Sequence, residues 1–286
     1  MVKIINGQKI ADALSVRLKN QISKLPRNKK PSLAVILIGQ NPASHLYVSL
    51  KEKRAKAVGI RFHKFLFPAS VSQTKILSLI QKLNQDKSIS AILVQLPLPK
   101  KFNTAKIITA IDPRKDADGI HPDNLRLLAA KKSPAVLPAT ADAVAAILDS
   151  LKINLKNKSA AVIGKSQIAG LPVYYYLKNK CRAVNVYDRS TKNLAVKTKK
   201  ADLLIVAIGQ PKFITQKYLK PGAIVIDIGI NKLQGRTVGD VDFKKVKNIC
   251  SAITPVPGGV GPITVAILLQ NTFKLSQQFN NLTMKQ

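Results

Sequence analysis

Three residues in the first half of the chain, Ser44, Tyr47 and Lys51, are spaced to share one face of a helix. An aromatic ring beside an amine on such a face can stack on a planar substrate and hold a proton carrier next to it. Arg54 lies near the same face, and a neighbouring cation is expected to lower the pKa of Lys51. The competing interpretation is a basic surface helix with an incidental tyrosine, which the spacing alone favours.

Gln95 and Asp118 are candidate site residues in other segments. Gln95 ends a predicted buried strand, Ala91–Gln95, and ligand sites in open α/β sheets lie at the carboxyl ends of strands. Asp118 belongs to the Asp-rich turn Asp112–Gly119 and is suited to hydrogen-bond an N–H-rich heterocycle. Structural roles compete with both assignments, because an amide can satisfy loop backbone groups and aspartates often cap turns.

The second half of the chain contains a candidate phosphate-binding turn at Gly164–Pro172. Gly164 follows a predicted strand and permits a tight turn, and N–H groups at the start of the next helix can meet a phosphate. The signal is weak by itself, because the three-glycine fingerprint is missing and Ser159 stands where a P-loop needs its first glycine. Asp188 follows the next predicted strand, where an acid can bind the adenosine ribose of a dinucleotide.

The elements that must position these residues alternate between apolar runs and helical patterns, which predicts βαβ units and mainly parallel sheets. We expect two α/β domains: residues 1–138, rejoined by a C-terminal helix 262–286, and a doubly wound, Rossmann-like dinucleotide-binding domain over 139–261. The second domain is predicted to have five strands: Ser159–Ile163, Ala183–Tyr187, Leu203–Ala207, Ile224–Ile228 and a short one near Ile249–Ala252. The other predicted elements are strand Ser32–Ile38 and helices Gln8–Leu25, Ser44–Val58, Ser72–Asn84, Asp142–Leu151 and Ile263 to about Gln278.

The chain is strongly basic, with 47 Lys and Arg against 14 Asp and Glu and a formal net charge of +33. Such a balance attracts phosphate backbones, but the lysines are spread along the whole chain with no aromatic-interleaved stripe. We therefore expect no specific nucleic-acid partner and only weak, non-specific binding at low salt. Glu52 is the single glutamate, which indicates compositional drift and gives extra weight to carboxylates in Gly- and Pro-marked loops.

The sequence shows no pattern typical of a membrane or secreted protein. No apolar run approaches the roughly 18 residues of a membrane span, and the N-terminus lacks the features of a signal peptide. Cys181 and Cys250 are predicted to be two buried thiols of a cytoplasmic protein. The three histidines lack companion ligands at useful spacing, so we expect no metal site.

Four segments in order resemble the bifunctional methylenetetrahydrofolate dehydrogenase/cyclohydrolase family: Gly39–Lys51, Ile92–Pro99, Asp112–Gly119 and Thr254–Thr264. The resemblance covers nearly the whole chain. It implies NAD(P)-dependent oxidation of 5,10-methylenetetrahydrofolate to the 5,10-methenyl cation, followed by hydrolysis to 10-formyltetrahydrofolate. It also implies a folate site in a cleft between the domains, and a cytoplasmic homodimer of one-carbon metabolism that serves purine biosynthesis.

Matching of motif positions implies the roles of the catalytic residues. Lys51 would manage the proton transfers of the hydrolytic step, and Gln95 would hydrogen-bond Lys51 and tune it. Tyr47 would stack on the folate, and Asp118 would anchor the pterin. A cationic intermediate disfavours a second nearby charge, which favours a neutral Lys51. The folate-binding residues implied by the match are Ser44, Tyr47, Gln95, Leu96, Pro97, Asp118, Gly259 and Pro262.

The family implies NADP as the cofactor, whereas Asp188 favours NAD. The family commonly has Cys-His-Ser-Arg-Thr where this chain has Tyr187–Thr191, and Lys165 replaces a family arginine. A carboxylate would repel the 2′-phosphate of NADP, while Arg189 and Lys165 would attract it. The segment Asp227–Asn231 is expected near the nicotinamide, with a structural turn as the alternative. The predicted cofactor-binding residues are Gly164, Lys165, Ser166, Ile168, Asp188, Arg189, Ser190 and Ile230.

Two other functions compete with this interpretation. An amino-acid or shikimate-type dehydrogenase shares the two-domain plan and a catalytic lysine, but the Tyr47/Lys51 spacing and the C-terminal Pro-Gly loop disfavour it. A basic protein associated with nucleic acid would show salt-dependent binding without folate-dependent NAD(P) reduction.

The chain also departs from the family at Ala139 and Ala141, which replace Cys and Pro, and at Arg126, which replaces a glycine. These departures are expected to change the rigidity of the hinge between the domains.

Overall fold

The computed structural model describes residues 2–283, with side chains for residues 2–278. Residue 1 and residues 284–286, which the predicted domain ranges include, lie outside the described residues. The chain divides into two compact units. Unit 1 contains the segment that ends at Asp12, Leu128–Lys131 and Thr140–Thr264, and unit 2 contains Ala13–Leu127, Lys132–Ala139 and the segment that begins at Val265.

Helices and strands alternate along most of the chain. The strands are β1 (Lys3–Ile4), β2 (Ser32–Ile38), β3 (Arg61–Phe67), β4 (Ala91–Val94), β5 (Ser159–Ile163), β6 (Ala183–Tyr187), β7 (Leu203–Val206), β8 (Ile224–Asp227), β9 (Asn231–Leu233), β10 (Arg236–Val238) and β11 (Ala252–Ile253). The helices are α1 (Gly7–Ser23), α2 (Pro42–Val58), α3 (Gln73–Gln85), α4 (Thr104–Thr109), α5 (Pro122–Ala129), α6 (Ala139–Leu151), α7 (Gly170–Lys178), α8 (Leu194–Thr198), α9 (Phe243–Val246) and α10 (Val260–Thr283).

A parallel three-stranded sheet in the order β3-β2-β4 lies at the centre of unit 2. All seven residues of β2 are buried, as expected for a central parallel strand whose two faces are both covered. The core also contains Leu268, Leu269 and Leu275, so α10 packs into the same core as β2. The edge strand β3 carries exposed charged residues, which is a common way to blunt a sheet edge.

The helix α2, which carries the candidate lysine, has well-defined ends. Asn41 caps its start by accepting a hydrogen bond from the Ser44 N–H, and Pro42 occupies the first turn. Gly59 ends the helix in the left-handed conformation, at φ 89°. Ser44, Tyr47 and Lys51 therefore lie within a single helix, as their spacing predicted.

A parallel six-stranded sheet in the order β1-β11-β8-β7-β5-β6 lies at the centre of unit 1. The prediction of five strands was wrong because β1, only two residues long, joins the edge of the sheet. Since β5 lies between β6 and β7, the strand order reverses at β5. Such a reversal is the place where doubly wound sheets bind dinucleotides, at the carboxyl ends of the strands.

Three predictions from composition concern single features of the fold. No helix among residues 2–283 combines the length and apolarity needed to cross a membrane. Cys250 is buried but Cys181 is only partly buried, so the prediction of a buried thiol is right for Cys250 alone. Within the same described residues, no group of three or more His, Cys, Asp or Glu side chains is arranged to hold a metal ion.

Candidate active site

Lys51 and Gln95 form a side-chain pair in unit 2. The Lys51 Nζ donates a 2.8 Å hydrogen bond to the Gln95 Oε1, which joins α2 to the carboxyl end of β4. Gln95 is buried, and its Nε2 donates to the Leu96 carbonyl at 2.6 Å. That second bond orients the amide so that its oxygen faces the lysine. Leu96 is half-buried, Pro97 is exposed, and the peptide bond between them is cis.

The surroundings of Lys51 favour a neutral amine. Burial lowers the pKa of Lys51, and the negative charge of Asp118 opposes that lowering. Burial likewise raises the pKa of Asp118, and Lys51 opposes that rise. The expected lowering is therefore present, but its attribution to Arg54 was wrong, since burial is the main cause. An amine in this setting can accept a proton at a lower pH than a free lysine can.

Tyr47 and Ser44 lie on the same helix as Lys51 but have different surroundings. Tyr47 is partly buried, and burial raises the pKa of its phenol, so the ring stays neutral. A neutral aromatic ring is suited to stacking on a planar ligand. Ser44 is buried at the start of the helix, where its N–H binds the Asn41 cap.

Asp116 has a structural role in the turn that leads to Asp118. Its carboxylate accepts hydrogen bonds from the His121 N–H at 2.6 Å and from the Asn124 side chain at 3.2 Å. Burial raises the pKa of Asp116 to about 6. These bonds close the turn, in agreement with the predicted turn-capping role of its aspartates.

The backbone around Asp118 is fixed by two further contacts within unit 2. The Ala139 N–H donates to the Asp118 carbonyl at 2.9 Å. The Asn271 Nδ2 donates to the carbonyls of Ala117 and Leu137 at 3.1 and 3.0 Å. Asn271 is completely buried on α10 and was missed by the sequence analysis. Asn271 stands between Gln270 and Thr272 directly after an apolar run, so the sequence offers no signal that distinguishes it from its polar neighbours.

The candidate phosphate-binding turn of unit 1 has a tightly packed backbone. Gly164 has φ +127°, and a Cβ there would collide with the Ala207 carbonyl of the neighbouring strand end. Its N–H donates to the Tyr187 carbonyl at 2.8 Å. A Cβ on Gly170 would in turn collide with the carbonyl of Gly164. Gly170 therefore lets the start of α7 lie against the end of β5. Gly164 lets the end of β5 lie against the residue that follows β7.

Exposed polar and charged side chains cover this end of the sheet. The predicted residues Lys165, Ser166, Ile168, Arg189 and Ser190 are all exposed there. The carbonyl of Ile168 accepts a hydrogen bond from the Thr140 hydroxyl at 3.3 Å.

Lys165 and Asp188 form an ion pair between the ends of β5 and β6. The Lys165 Nζ lies 2.6 Å from the Asp188 Oδ2, and both side chains are partly exposed. The ammonium, together with hydrogen bonds from Ser190 and Thr191, holds the pKa of the Asp188 carboxyl well below its usual range. Both residues were predicted to lie in the cofactor site, but their ion pair was not predicted.

Asp227, at the end of β8, forms a structural turn. Its carboxylate accepts hydrogen bonds from the backbone N–H groups of Gly229, Asp240 and Val241 at 2.8–3.1 Å. Burial raises the pKa of Asp227 to about 7. The predicted site residue Ile230 follows in the same segment and is 48% exposed. Asp227 therefore stabilises a structural turn, which was the alternative to a cofactor-binding role. The location of this segment near the nicotinamide stays a prediction.

Asp240, another buried carboxylate of unit 1, was not predicted from the sequence. It accepts hydrogen bonds from the backbone N–H groups of Ile208, Gly209 and Gln210 at 2.7–3.0 Å and from Asn231 Nδ2 at 2.8 Å. Asp240 thus ties together the loops that follow β7 and β8. It follows a glycine in a chain with few acids, which was a signal that could have identified it.

The C-terminal Pro-Gly loop lies beside the end of β8 in unit 1. The Thr254 hydroxyl accepts a hydrogen bond from the Asp227 N–H at 2.8 Å. A Cβ on Gly261 would lie 3.8 Å from the Ile230 side chain. Gly259 is buried and Pro262 is partly buried. Their predicted part in folate binding stays a prediction.

Two family models match the chain, and both carry the description "Tetrahydrofolate dehydrogenase/cyclohydrolase". The catalytic-domain model matches residues 5–118, and the NAD(P)-binding-domain model matches residues 138–280. A "Bifunctional protein FolD" of Sulfurihydrogenibium sp. is 45% identical over 275 residues, which cover 95% of this chain and 96% of that protein. Another, from Nautilia profundicola, is 44% identical over 278 residues, which cover 96% and 98%.

Solved structures of similar proteins have the same fold. The bifunctional methylenetetrahydrofolate dehydrogenase/cyclohydrolase of Campylobacter jejuni superposes with a TM-score of 0.94 at 40% identity, covering 97% of this chain and 99% of that one. The Trypanosoma brucei enzyme, solved with NADP cofactor and an inhibitor, gives 0.92 at 35% identity, covering 97% and 98%. With both domain models matched and such identity over nearly its full length, the chain belongs to the tetrahydrofolate dehydrogenase/cyclohydrolase family.

Proposed function

We propose that this protein oxidises 5,10-methylenetetrahydrofolate to 5,10-methenyltetrahydrofolate with NAD(P)⁺ and then hydrolyses the product to 10-formyltetrahydrofolate. Membership of a family named for both activities supports the two reactions. The observation that carries the hydrolytic half is the 2.8 Å hydrogen bond between Lys51 Nζ and Gln95 Oε1 in a setting that lowers the pKa of the amine. An amine that is held by a neutral acceptor and has a lowered pKa is suited to take a proton from water that attacks a cation.

In the hydrolytic step, a water oxygen bonds to the methenyl carbon while Lys51 accepts one of the water protons. The carbon–N5 bond then breaks, and the ammonium of Lys51 returns its proton to N5. The remaining hydroxyl proton leaves to solvent as the formyl group forms. Gln95 Oε1 accepts a hydrogen bond from either form of the amine, so it holds Nζ in place throughout.

Folate binding is assigned to the residues around Lys51. The neutral ring of Tyr47 stacks on the substrate, and Asp118 hydrogen-bonds the N–H-rich pterin. The negative charge of Asp118 also moderates the lowering of the Lys51 pKa. Further folate contacts are proposed for Ser44, Leu96, Pro97, Gly259 and Pro262.

The dinucleotide is assigned to the carboxyl end of the unit 1 sheet, where the strand order reverses. When bound there, its nicotinamide supplies the acceptor for the hydride. The tight turn at Gly164 and the exposed charges of Lys165 and Arg189 suit a ligand with phosphate groups. The other proposed contacts are Ser166, Ile168, Asp188, Ser190 and Ile230. The proposed folate domain consists of residues 1–138 and 262–286. The proposed dinucleotide domain consists of residues 139–261.

We further propose a homodimer that acts in the cytoplasm as part of one-carbon metabolism. The family resemblance supports this assembly and location. Sedimentation velocity of the purified protein would test the assembly, since a monomer at micromolar concentration would contradict it.

The test of the two reactions follows methenyl formation and decay in purified protein given methylenetetrahydrofolate and NADP or NAD. Lys51→Met is expected to abolish hydrolysis of added methenyltetrahydrofolate, because the methionine side chain cannot accept the proton, while dinucleotide binding persists. Lys53→Met is the matched control, because Lys53 is an exposed lysine of the same helix. Retained hydrolysis in Lys51→Met would overturn the role of Lys51.

A further inference from the structure

Among the predicted cofactor residues, Asp188 carries the negative charge that bears on which dinucleotide fits, against the neighbouring cations Lys165 and Arg189. Its Oδ1 accepts hydrogen bonds from Ser190 N and Oγ at 3.1 and 2.7 Å and from Thr191 Oγ1 at 3.1 Å. Its Oδ2 accepts from the Lys165 Nζ at 2.6 Å. The turn after β6 therefore fixes the carboxylate, and the end of β5 supplies the cation that faces it.

The pairing follows from the register of the parallel sheet. Ile163 and Tyr187 are register partners at the ends of β5 and β6, so the residues that follow them leave the sheet side by side. A doubly wound fold binds the adenosine ribose of a dinucleotide at these carboxyl ends of the strands. An acid that follows β6 lies beside the 2′ substituent of that ribose. This substituent is a hydroxyl in NAD and a phosphate in NADP.

The two substituents make opposite demands on this carboxylate. Each carboxylate oxygen has two lone pairs, and among the described residues Oδ2 receives one hydrogen bond. A ribose hydroxyl can donate to the remaining lone pair while the ion pair stays intact. A phosphate at neutral pH has no proton suited to donate and carries close to two negative charges, so Asp188 repels it. The charge of Lys165 is already compensated by Asp188, which weakens its attraction for the phosphate.

We propose that Asp188, by holding Lys165 and presenting a carboxylate to the 2′ position, makes this enzyme prefer NAD over NADP. This inference rests on the proposed dehydrogenase function. The ion pair is partly exposed and therefore weak, so the result is a preference and not an absolute exclusion. Repulsion between like charges predicts a ratio of kcat/KM for NAD over NADP of about tenfold or more.

Two measurements on the wild-type protein separate this inference from the proposed function. Steady-state oxidation of methylenetetrahydrofolate with each dinucleotide gives the ratio of kcat/KM. Fluorescence titration with NADH and NADPH in the absence of folate gives binding constants that need no catalysis. Tighter binding of NADH without any oxidation of the folate would defeat the proposed function and leave the inference standing. Equal binding, tighter binding of NADPH, or binding of neither would overturn the inference.

Asp188→Asn is the variant that isolates the charge. The amide keeps an oxygen for the Ser190 N–H, so the turn is preserved, while the negative charge is lost. We expect NADPH affinity to rise about tenfold and NADH affinity to fall, which would reduce or reverse the preference. The matched control is Asp202→Asn. Asp202 also binds a lysine, Lys220, at 2.6 Å and accepts hydrogen bonds from a serine N–H and hydroxyl, but it precedes β7, at the amino ends of the strands of the same sheet.

A double-mutant cycle with Lys165→Met tests whether the pair acts as a unit. In the wild-type background the substitution removes the cation that faces Asp188, so the uncompensated carboxylate is expected to lower NADPH affinity. In the Asp188→Asn background it is expected to lower NADPH affinity several-fold, because the freed lysine then binds the phosphate. If Lys165→Met leaves NADPH affinity unchanged in the Asp188→Asn background, the proposal is overturned, as it is by an equal change of preference in Asp202→Asn.

Discussion

At the scale of single residues, Gln95 holds the amine that we propose for the hydrolytic step. It contacts Lys51 through its amide oxygen, and its amide nitrogen is committed to the carbonyl of Leu96. A neutral acceptor at this position fixes the amine without adding a charge. A carboxylate in the same place would keep the contact and stabilise the ammonium form.

Gln95→Glu is therefore expected to raise the pKa of Lys51. Because the neutral amine is the form that accepts a proton, hydrolysis increases with pH through that pKa, and the variant's profile moves to higher pH. If the pKa of Lys51 rises by about one, the rate at a pH below it falls about tenfold. The measurement is the rate of hydrolysis of added methenyltetrahydrofolate against pH. Gln85→Glu, at an exposed glutamine, is the control, and an unchanged profile in Gln95→Glu would contradict the assignment.

The sequence identified these residues more readily than their contacts. The spacing of Tyr47 and Lys51 alone favoured an incidental surface helix, and only the ordered motifs gave Lys51 a partner. The cause of its lowered pKa, burial, depends on packing that no local pattern encodes. The Lys165–Asp188 pair was also beyond prediction, because it depends on the register of two strands that are distant in sequence.

At the scale of secondary-structure elements, α10 contributes more than core leucines to unit 2. Asn271 on this helix holds the carbonyls of Ala117 and Leu137, which flank the backbone of Asp118. Loss of this amide would leave two carbonyls without that donor in a buried place. Asn271 therefore holds the backbone around Asp118 in place.

Asn271→Ala is expected to lower the free energy of unfolding by about 1–3 kcal/mol, since buried carbonyls lose their donor. It is also expected to raise KM for methylenetetrahydrofolate more than it lowers kcat, because the turn that presents Asp118 becomes less ordered. Urea denaturation and steady-state kinetics measure the two effects. Gln278→Ala is the control, as Gln278 on the same helix donates to the carbonyl of Ala135. An equal rise of KM in both variants would exclude a positioning role.

Strand prediction succeeded for mainly apolar segments and failed for strands that are very short or interrupted by charges. The predicted bounds of β2, β5 and β6 agree with the structure, since apolar runs bounded by turn residues indicate strands. No strand was predicted at β3, because charges interrupt its apolar residues at the sheet edge. The two-residue β1 is too short to show any periodicity, and β11 begins three residues later than predicted.

At the scale of the whole molecule, the net charge of +33 is expected to destabilise the folded state through self-repulsion. Salt shortens the range of this repulsion, from about 10 Å at 0.1 M to about 3 Å at 1 M. We therefore expect Tm to rise between about 0.05 and 0.5 M NaCl, by roughly 2–4 °C for each kcal/mol gained. Differential scanning calorimetry measures the change, and KCl should act equally. A falling Tm would mean that ion pairs such as Lys220–Asp202 outweigh the repulsion.

The pairing of β1 with β11 has a consequence for the order in which the protein is made. Ile4 leaves the ribosome early, yet its partner Ile253 follows only after roughly 12 to 50 s at typical rates of synthesis. The core around β2 likewise cannot be completed before Leu268, Leu269 and Leu275 have been synthesised. Neither unit is complete until the last helix has emerged. Folding during translation therefore proceeds with an incomplete sheet in unit 1 and an incomplete core in unit 2 until these residues have emerged.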